Sequence, residues 1–181
     1  SKPWKEAGYD VRLVTLPELD VRNYSPPPNV FGILAAPPCT MFSLARTRAK
    51  KPRDFREGME LVQACLRIIW ESRYHNKLAF WALENPTGYL RQFLGKPAFT
   101  FNPCDFGDPY TKKTDLWGYF NIPKKNPIKI TDLDVLTRLK LNTRKLPSIS
   151  DFTGSKQAAR GAITTSGFAK AFYEANKLKV H

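Results

Sequence analysis

Two apolar runs, residues 30–35 and 78–83, separated by one long amphipathic stretch, constrain the fold of this chain more than any other feature. Five of the six residues in VFGILA are apolar and the other is glycine, while LAFWAL is apolar throughout. Short runs that are apolar at every position, rather than at alternate ones, read as strands buried on both faces. Between them Phe55, Met59, Val62, Leu66 and Ile69 recur at spacings of four, three, four and three, which is one face of a helix over residues 53–73. Strand, long helix and strand make a parallel crossover unit.

The chain continues with a short helix over 88–95, a strand over 98–101 and a strand over 114–120 hairpinned to it. The expectation is an α/β doubly wound sheet, parallel in its middle and with one antiparallel edge. Ahead of the first run, residues 1–8 read as the tail of a helix closed by Gly8. Residues 9–16 alternate as a strand, and 17–28 form a loop punctuated by Pro26, Pro27 and Pro28. Phe168, Phe172 and Tyr173 predict a helix over 162–177 that packs back on the main domain. Residues 121–160 carry nine Lys or Arg against three Asp and little periodicity, and read as a small basic lobe beside a core made of 1–120 and 161–181.

Charge narrows the partners. The 181 residues include 29 Lys or Arg against 16 Asp or Glu, a formal charge of +13, and such an excess attracts polyanions by counterion release and steering. Nucleic acid is the expected partner, although a merely basic, soluble surface would carry the same charge. Within 44–56 stand Arg46, Arg48, Lys50, Lys51, Arg53 and Arg56 against Asp54 alone. Three widely spaced cysteines without a CxxC pair, and two histidines, predict neither a disulfide framework nor a metal site. No run is long enough to span a bilayer and no secretory pattern is visible, so a soluble intracellular protein is expected.

The first apolar run ends in Pro37 and Pro38, which stop strand hydrogen bonding, and delivers Cys39 to the carboxyl end of a strand, where α/β sheets bind ligands. A free cysteine is more often a small buried hydrophobe. The second run, however, ends in Glu84, Asn85 and Pro86. A thiol and a carboxylate on two strand ends suit addition to a heteroaromatic ring. A pyrimidine is unreactive at C5 until a nucleophile adds to C6, and an acid at N3 keeps charge from accumulating on the ring. Cys39 would add and Glu84 protonate, with a pKa raised by an apolar, water-poor site. Asn85 would hold the segment through side-chain hydrogen bonds, and Cys65, beside the helix stripe, reads as packing.

These residues resemble a known family. PPCTMFS at 37–43 resembles the catalytic PC motif of the cytosine-C5 DNA methyltransferases, ALENP at 82–86 their ENV motif, and CDFGDPYTKKTDLWG at 104–118 the segment that usually reads GxPQxRxR. The similarity runs from about residue 9 to 119 and is nearest to small, divergent, phage-type members. It implies a Rossmann-like S-adenosylmethionine-dependent methyltransferase fold, S-adenosylmethionine as donor, and double-stranded DNA with a flipped cytosine as substrate. It implies no metal and no obligate protein partner, and the cytoplasm of a bacterial or phage-infected cell as location. Cys39 is then the C6 nucleophile, Glu84 acts on N3 and the exocyclic amine, and Asn85 and Lys112 orient the site. Tyr110, Lys112 and Thr114 stand at the Gln, Arg and Arg positions, with Lys113 as a substitute for the second arginine. Ser43, Arg46, Arg48 and Lys113 would contact DNA on the mobile loop and its neighbour, and Glu18, Asp20 and Pro37 would contact the donor.

The family's glycine-rich FxGxG loop has no counterpart ahead of Trp4, and the acid expected at Thr15 is missing, with Glu18 displaced by three. The chain is therefore expected to lack the first strand of the fold, as a fragment or a shortened relative. Amino-methyltransferases need a polar first and an aromatic last residue in their PP tetrad, where this chain has Ala36 and Cys39. RNA cytosine-C5 enzymes place the nucleophile where this chain has Glu84 and Asn85, so they fit poorly; a tRNA-directed member of the DNA-type family stays open. The alternative from another class is a non-catalytic nucleic-acid-binding domain on a methyltransferase fold.

Overall fold

The structure is a computed structural model that describes residues 1–46, 49–75, 77–128, 146–148 and 165–178. In chain order its elements are α1 (Lys2–Glu6), β1 (Gly32–Ala35), α2 (Phe55–His75), β2 (Phe80–Pro86), α3 (Leu90–Leu94), β3 (Phe99–Phe101), a 3-10 turn (Pro103–Phe106), β4 (Thr114–Tyr119) and α4 (Ser166–Asn176). They fall into two compact units. One comprises Ser1–Tyr9, Phe101–Lys113 and Ile122–His181, the other Asp10–Thr100 and Thr114–Asn121.

The two apolar runs pair in parallel, from Gly32 opposite Phe80 to Ala35 opposite Leu83, and α2 is the crossover between them. β4 then runs antiparallel to β2, from Trp81 opposite Tyr119 to Pro86 opposite Thr114, and the sheet order is β1-β2-β4-β3. Among the described residues the protein is thus mixed α/β with a four-stranded mixed sheet. The antiparallel strand expected at an edge is interior, inserted between β2 and β3.

Three other expectations change. β2 does not stop before Glu84 but includes Glu84, Asn85 and Pro86, because β4 keeps pairing with it after β1 has ended. The missing N–H of Pro86 is tolerated there at the last position of the strand. The alternating stretch 9–16 forms no strand: it has no ladder partner among the described residues, and Leu13 and Leu16 are exposed. Alternation fixes a strand only where a neighbouring strand and a core face are there to receive it. β1 is not buried on both faces, since half-buried Ala35 packs on the core whereas Leu34, on the opposite face, is 49% exposed.

The α2 stripe behaves as its spacing predicts. Val62 and Cys65 join Phe42, Leu83, Leu90 and Trp117 in one buried cluster, with Phe55, Met59 and Leu66 packed against it. Burial pushes the Cys65 thiol up to about 11, so this cysteine is a packing residue. In the other unit, Phe168 of α4 stacks on Phe101 at 4.0 Å and meets Phe106 edge-on at 5.3 Å. Trp4 of α1 meets Tyr9 and Tyr173 edge-on at 5.0 Å each. The helix expected over 162–177 is therefore present from Ser166 and packs on α1 and the 3-10 turn of its own unit. Most of the basic lobe at 121–160 lies outside the described residues.

Candidate active site

β1 ends at Ala35, and the chain passes through buried Pro37 and exposed Pro38 into a tight turn at half-buried Cys39. The Cys39 carbonyl accepts from the Phe42 N–H at 2.9 Å and the Ser43 N–H at 2.8 Å, so residues 39–43 close one compact loop. Its anchor is Phe42, fully buried, which stacks on Phe55 with ring centroids 6.2 Å apart and meets Phe93 edge-on at 6.0 Å.

β2 holds the approach to this turn. Ala35 pairs with Leu83, so Glu84 and Asn85 continue past the last paired residue of β1, alongside the segment that leads to Cys39. Asn85 is fully buried, and its Nδ2 donates to the Pro37 carbonyl at 3.0 Å. Its Oδ1 is buried without a hydrogen-bond partner among the described residues. The parallel register therefore sets the half-buried Glu84 and the Cys39 turn at the same end of neighbouring strands.

The far side of the turn is fixed by the segment after β2. Ser43 bridges to Gly88, and the Tyr89 N–H donates to the Phe42 carbonyl at 2.9 Å. A Cβ at position 88 would collide with that carbonyl, which is why glycine follows the ENPT segment. Arg53, just ahead of α2, donates from one guanidinium nitrogen to the Met41 carbonyl at 2.9 Å and from the other to the Ser43 carbonyl at 2.8 Å.

A second polar cluster stabilises the Glu84–Gly88 segment. Asp115 pairs with Asn85 across the sheet and has no solvent exposure. Its carboxylate accepts from Arg91 Nε at 2.7 Å and Nη2 at 2.6 Å, from Thr100 Oγ1 at 2.7 Å and from Thr87 Oγ1 at 2.9 Å. Burial pushes the Asp115 pKa up, but hydrogen bonds from Arg91, Thr100 and Thr87 outweigh it and hold the carboxyl below its usual range. The same pairing raises Arg91. Neither Asp115 nor Arg91 stands out in the sequence as a site residue; the one available signal is an acid at the head of the otherwise apolar stretch DLWGYF.

The remaining expected residues divide between the two units. Lys112 is half-buried and Lys113 exposed, and both belong to the unit that does not contain Cys39, Glu84 and Asn85. Tyr110 is buried, and Thr114, at 2% exposure, lies inside the sheet opposite Pro86. Ser43 Oγ accepts from the Ala45 N–H at 3.2 Å. Arg46 is half-buried next to that turn, and Arg48 lies outside the described residues.

On the donor side, the Asp20 carboxylate is engaged by Arg22, through Nη2 at 2.6 Å and Nε at 3.0 Å, and these hydrogen bonds lower its pKa. Glu18 is exposed, and the buried Pro37 offers its carbonyl to Asn85. Arg67 of α2 pins the same loop, donating to the carbonyls of Val21, Arg22 and Tyr24. These residues do not fit S-adenosylmethionine as they stand: the Asp20 carboxylate already holds a guanidinium and the Pro37 carbonyl already accepts from Asn85. Among the described residues, no three His, Cys, Asp or Glu converge as metal ligands, and no helix is long and apolar enough to cross a membrane.

Compared with models of known protein families, the chain matches none, and no curated protein gives a significant match either.

Proposed function

We propose that this chain carries the base-activating half of a cytosine-C5 DNA methyltransferase reaction on a Rossmann-like sheet, with Cys39 as nucleophile and Glu84 as acid. The observation that supports the reading is the register of β1 and β2: it sets a thiol-bearing turn and a carboxylate at the same end of adjacent parallel strands, tied by the bond from Asn85 to Pro37. The carboxyl ends of parallel strands are where open α/β sheets bind their ligands. The net charge of +13 suits a polyanionic substrate.

The chemistry concerns the extruded base alone. The Cys39 thiolate forms a bond from Sγ to C6 of cytosine as the C5=C6 π pair is released into the ring, and Glu84 delivers a proton to N3 so that the adduct is neutral. C5 is then an enamine carbon that can take an electrophile. Loss of the C5 proton to solvent, expulsion of the thiolate and return of the N3 proton to Glu84 restore the neutral aromatic ring, the free cysteine and the acid. S-adenosylmethionine is the methyl donor that the family resemblance implies, and it would supply an electrophilic methyl group. The engagement of Asp20 by Arg22 favours the second reading, a nucleic-acid-binding domain that no longer methylates.

Addition to C6 can be measured without any donor, because the adduct exchanges its C5 hydrogen with water. The chain incubated with duplex DNA tritiated at cytosine C5 should release tritium above the background of the Cys39→Ser variant. Binding of that DNA with no release above the variant would overturn the catalytic reading and leave the binding domain.

A further inference from the structure

The cationic run 44–56 invites the view that all of its side chains face DNA. The geometry points to a different role for Arg53: we infer that it is a positioning residue that sets the Cys39 turn, rather than a phosphate contact. The inference rests on the proposed role of Cys39. Its guanidinium is half-buried and forked over the turn, with Nη1 on the Met41 carbonyl at 2.9 Å and Nη2 on the Ser43 carbonyl at 2.8 Å. These carbonyls flank Phe42, whose own carbonyl is taken by the Tyr89 N–H. The three successive carbonyls after Thr40 are thus all satisfied, two of them by one side chain. The guanidinium also lies over the Tyr89 ring, 4.9 Å from its centroid.

Arg53 therefore joins three pieces of chain: the nucleophile turn, the start of α2 and the Gly88–Tyr89 segment after β2. The neighbouring residues strengthen the joint. Asp54 Oδ1 accepts from the Glu57 N–H at 3.0 Å and caps α2, and a Cβ at Gly58 would press on Met41 and the Phe42 ring at 2.9 Å. A planar fork with fixed donors matches two carbonyls held in one orientation, whereas a lysine ammonium satisfies one at a time. Charge-assisted bonds of this kind are short and geometrically demanding. The residue acts on the reaction through the backbone that carries Cys39, and Arg46 is left as the described arginine of the loop whose side chain is available to a phosphate.

The test compares Arg53→Ala, Arg53→Lys and Arg46→Ala in the full chain. Three readouts are used: the rate at which iodoacetamide labels Cys39, followed by peptide mass, tritium release from C5-labelled DNA, and DNA affinity against salt. Arg53→Ala should raise Cys39 labelling at least threefold and lower tritium release at least tenfold, while DNA affinity changes less than threefold. Arg53→Lys should restore less than half of the loss in tritium release. Arg46→Ala should do the reverse, weakening DNA binding and its salt slope while leaving Cys39 labelling unchanged. If Arg53→Ala behaves as Arg46→Ala, or if Arg53→Lys restores release fully, the positioning role is wrong. Should Arg53→Ala not fold, judged by circular dichroism, Arg53→Gln is measured against the same criteria. Labelling needs no DNA chemistry: a changed labelling rate with no tritium release from the wild type would refute the proposed function while leaving the positioning role intact.

Discussion

Replacing Asp115 by asparagine removes one charge from a fully buried site and leaves its shape almost unchanged. The carboxylate accepts four hydrogen bonds of 2.6 to 2.9 Å, two from Arg91 and one each from Thr87 and Thr100. Asparagine keeps one acceptor oxygen and turns an NH2 group toward donors, so at least one donor is left without a partner. Breaking a buried ion pair from one side costs about 3–5 kcal/mol. The Arg91 side chain is 36% exposed and regains some hydration, which argues for the lower end, about 3 kcal/mol.

In a chain of this size that corresponds to a fall in Tm of roughly 10 °C, at about 2–4 °C per kcal/mol. Guanidinium unfolding followed by tryptophan fluorescence checks it, since Trp117 lies on the same strand as Asp115. The pH dependence carries a sign. The folded carboxyl is held below its unfolded value, so its contribution is complete above the unfolded value of about 3.9 and is lost as pH falls through the depressed folded value. The difference between wild type and Asp115→Asn should thus be full at neutral pH and close only in strong acid. A neutral-pH difference below about 1 kcal/mol, the size of an ordinary neutral hydrogen bond, would refute the reasoning.

Two further outcomes follow from the site. Asn85→Ala strands the Pro37 carbonyl and should lower stability by about 1–3 kcal/mol, with faster iodoacetamide labelling of Cys39 as the turn loosens; thermal melts and peptide mass measure both. Arg46→Ala should reduce the magnitude of the slope of log affinity for duplex DNA against log salt by about 0.9, the loss of one phosphate contact, in a fluorescence-anisotropy titration.

Much of this was legible in the sequence, for identifiable reasons. Periodicity located α2 because Phe55, Met59, Val62 and Leu66 of its stripe pack on a single core. The two apolar runs located β1 and β2 because few other arrangements bury them. Cys39, Glu84 and Asn85 were marked by type and position after those runs, and the bond from Asn85 to Pro37 joins their two segments. What escaped depends on partners remote in the chain. The extension of β2 through Pro86 depends on β4, some 30 residues later. The internal use of Arg53 depends on carbonyls that exist only once the turn has formed, and in a run of arginines and lysines nothing marks it out. The Asp115 cluster draws on four separate segments. Alternation at 9–16 misled because hydropathy shows a face without showing whether a neighbour is there to cover it.

Catalysis by Cys39 requires a bond between its Sγ and C6 of a pyrimidine in DNA. Duplex DNA carrying 2-pyrimidinone in place of cytosine tests it directly, because that base lacks the exocyclic amine and takes a thiolate at C6 without a methyl donor. A complex that survives denaturation is expected, with the adduct mass on the peptide containing Cys39 and no complex from Cys39→Ser. A complex that persists in Cys39→Ser, an adduct mapped to Cys65 or Cys104, or bound DNA with no covalent complex would contradict it.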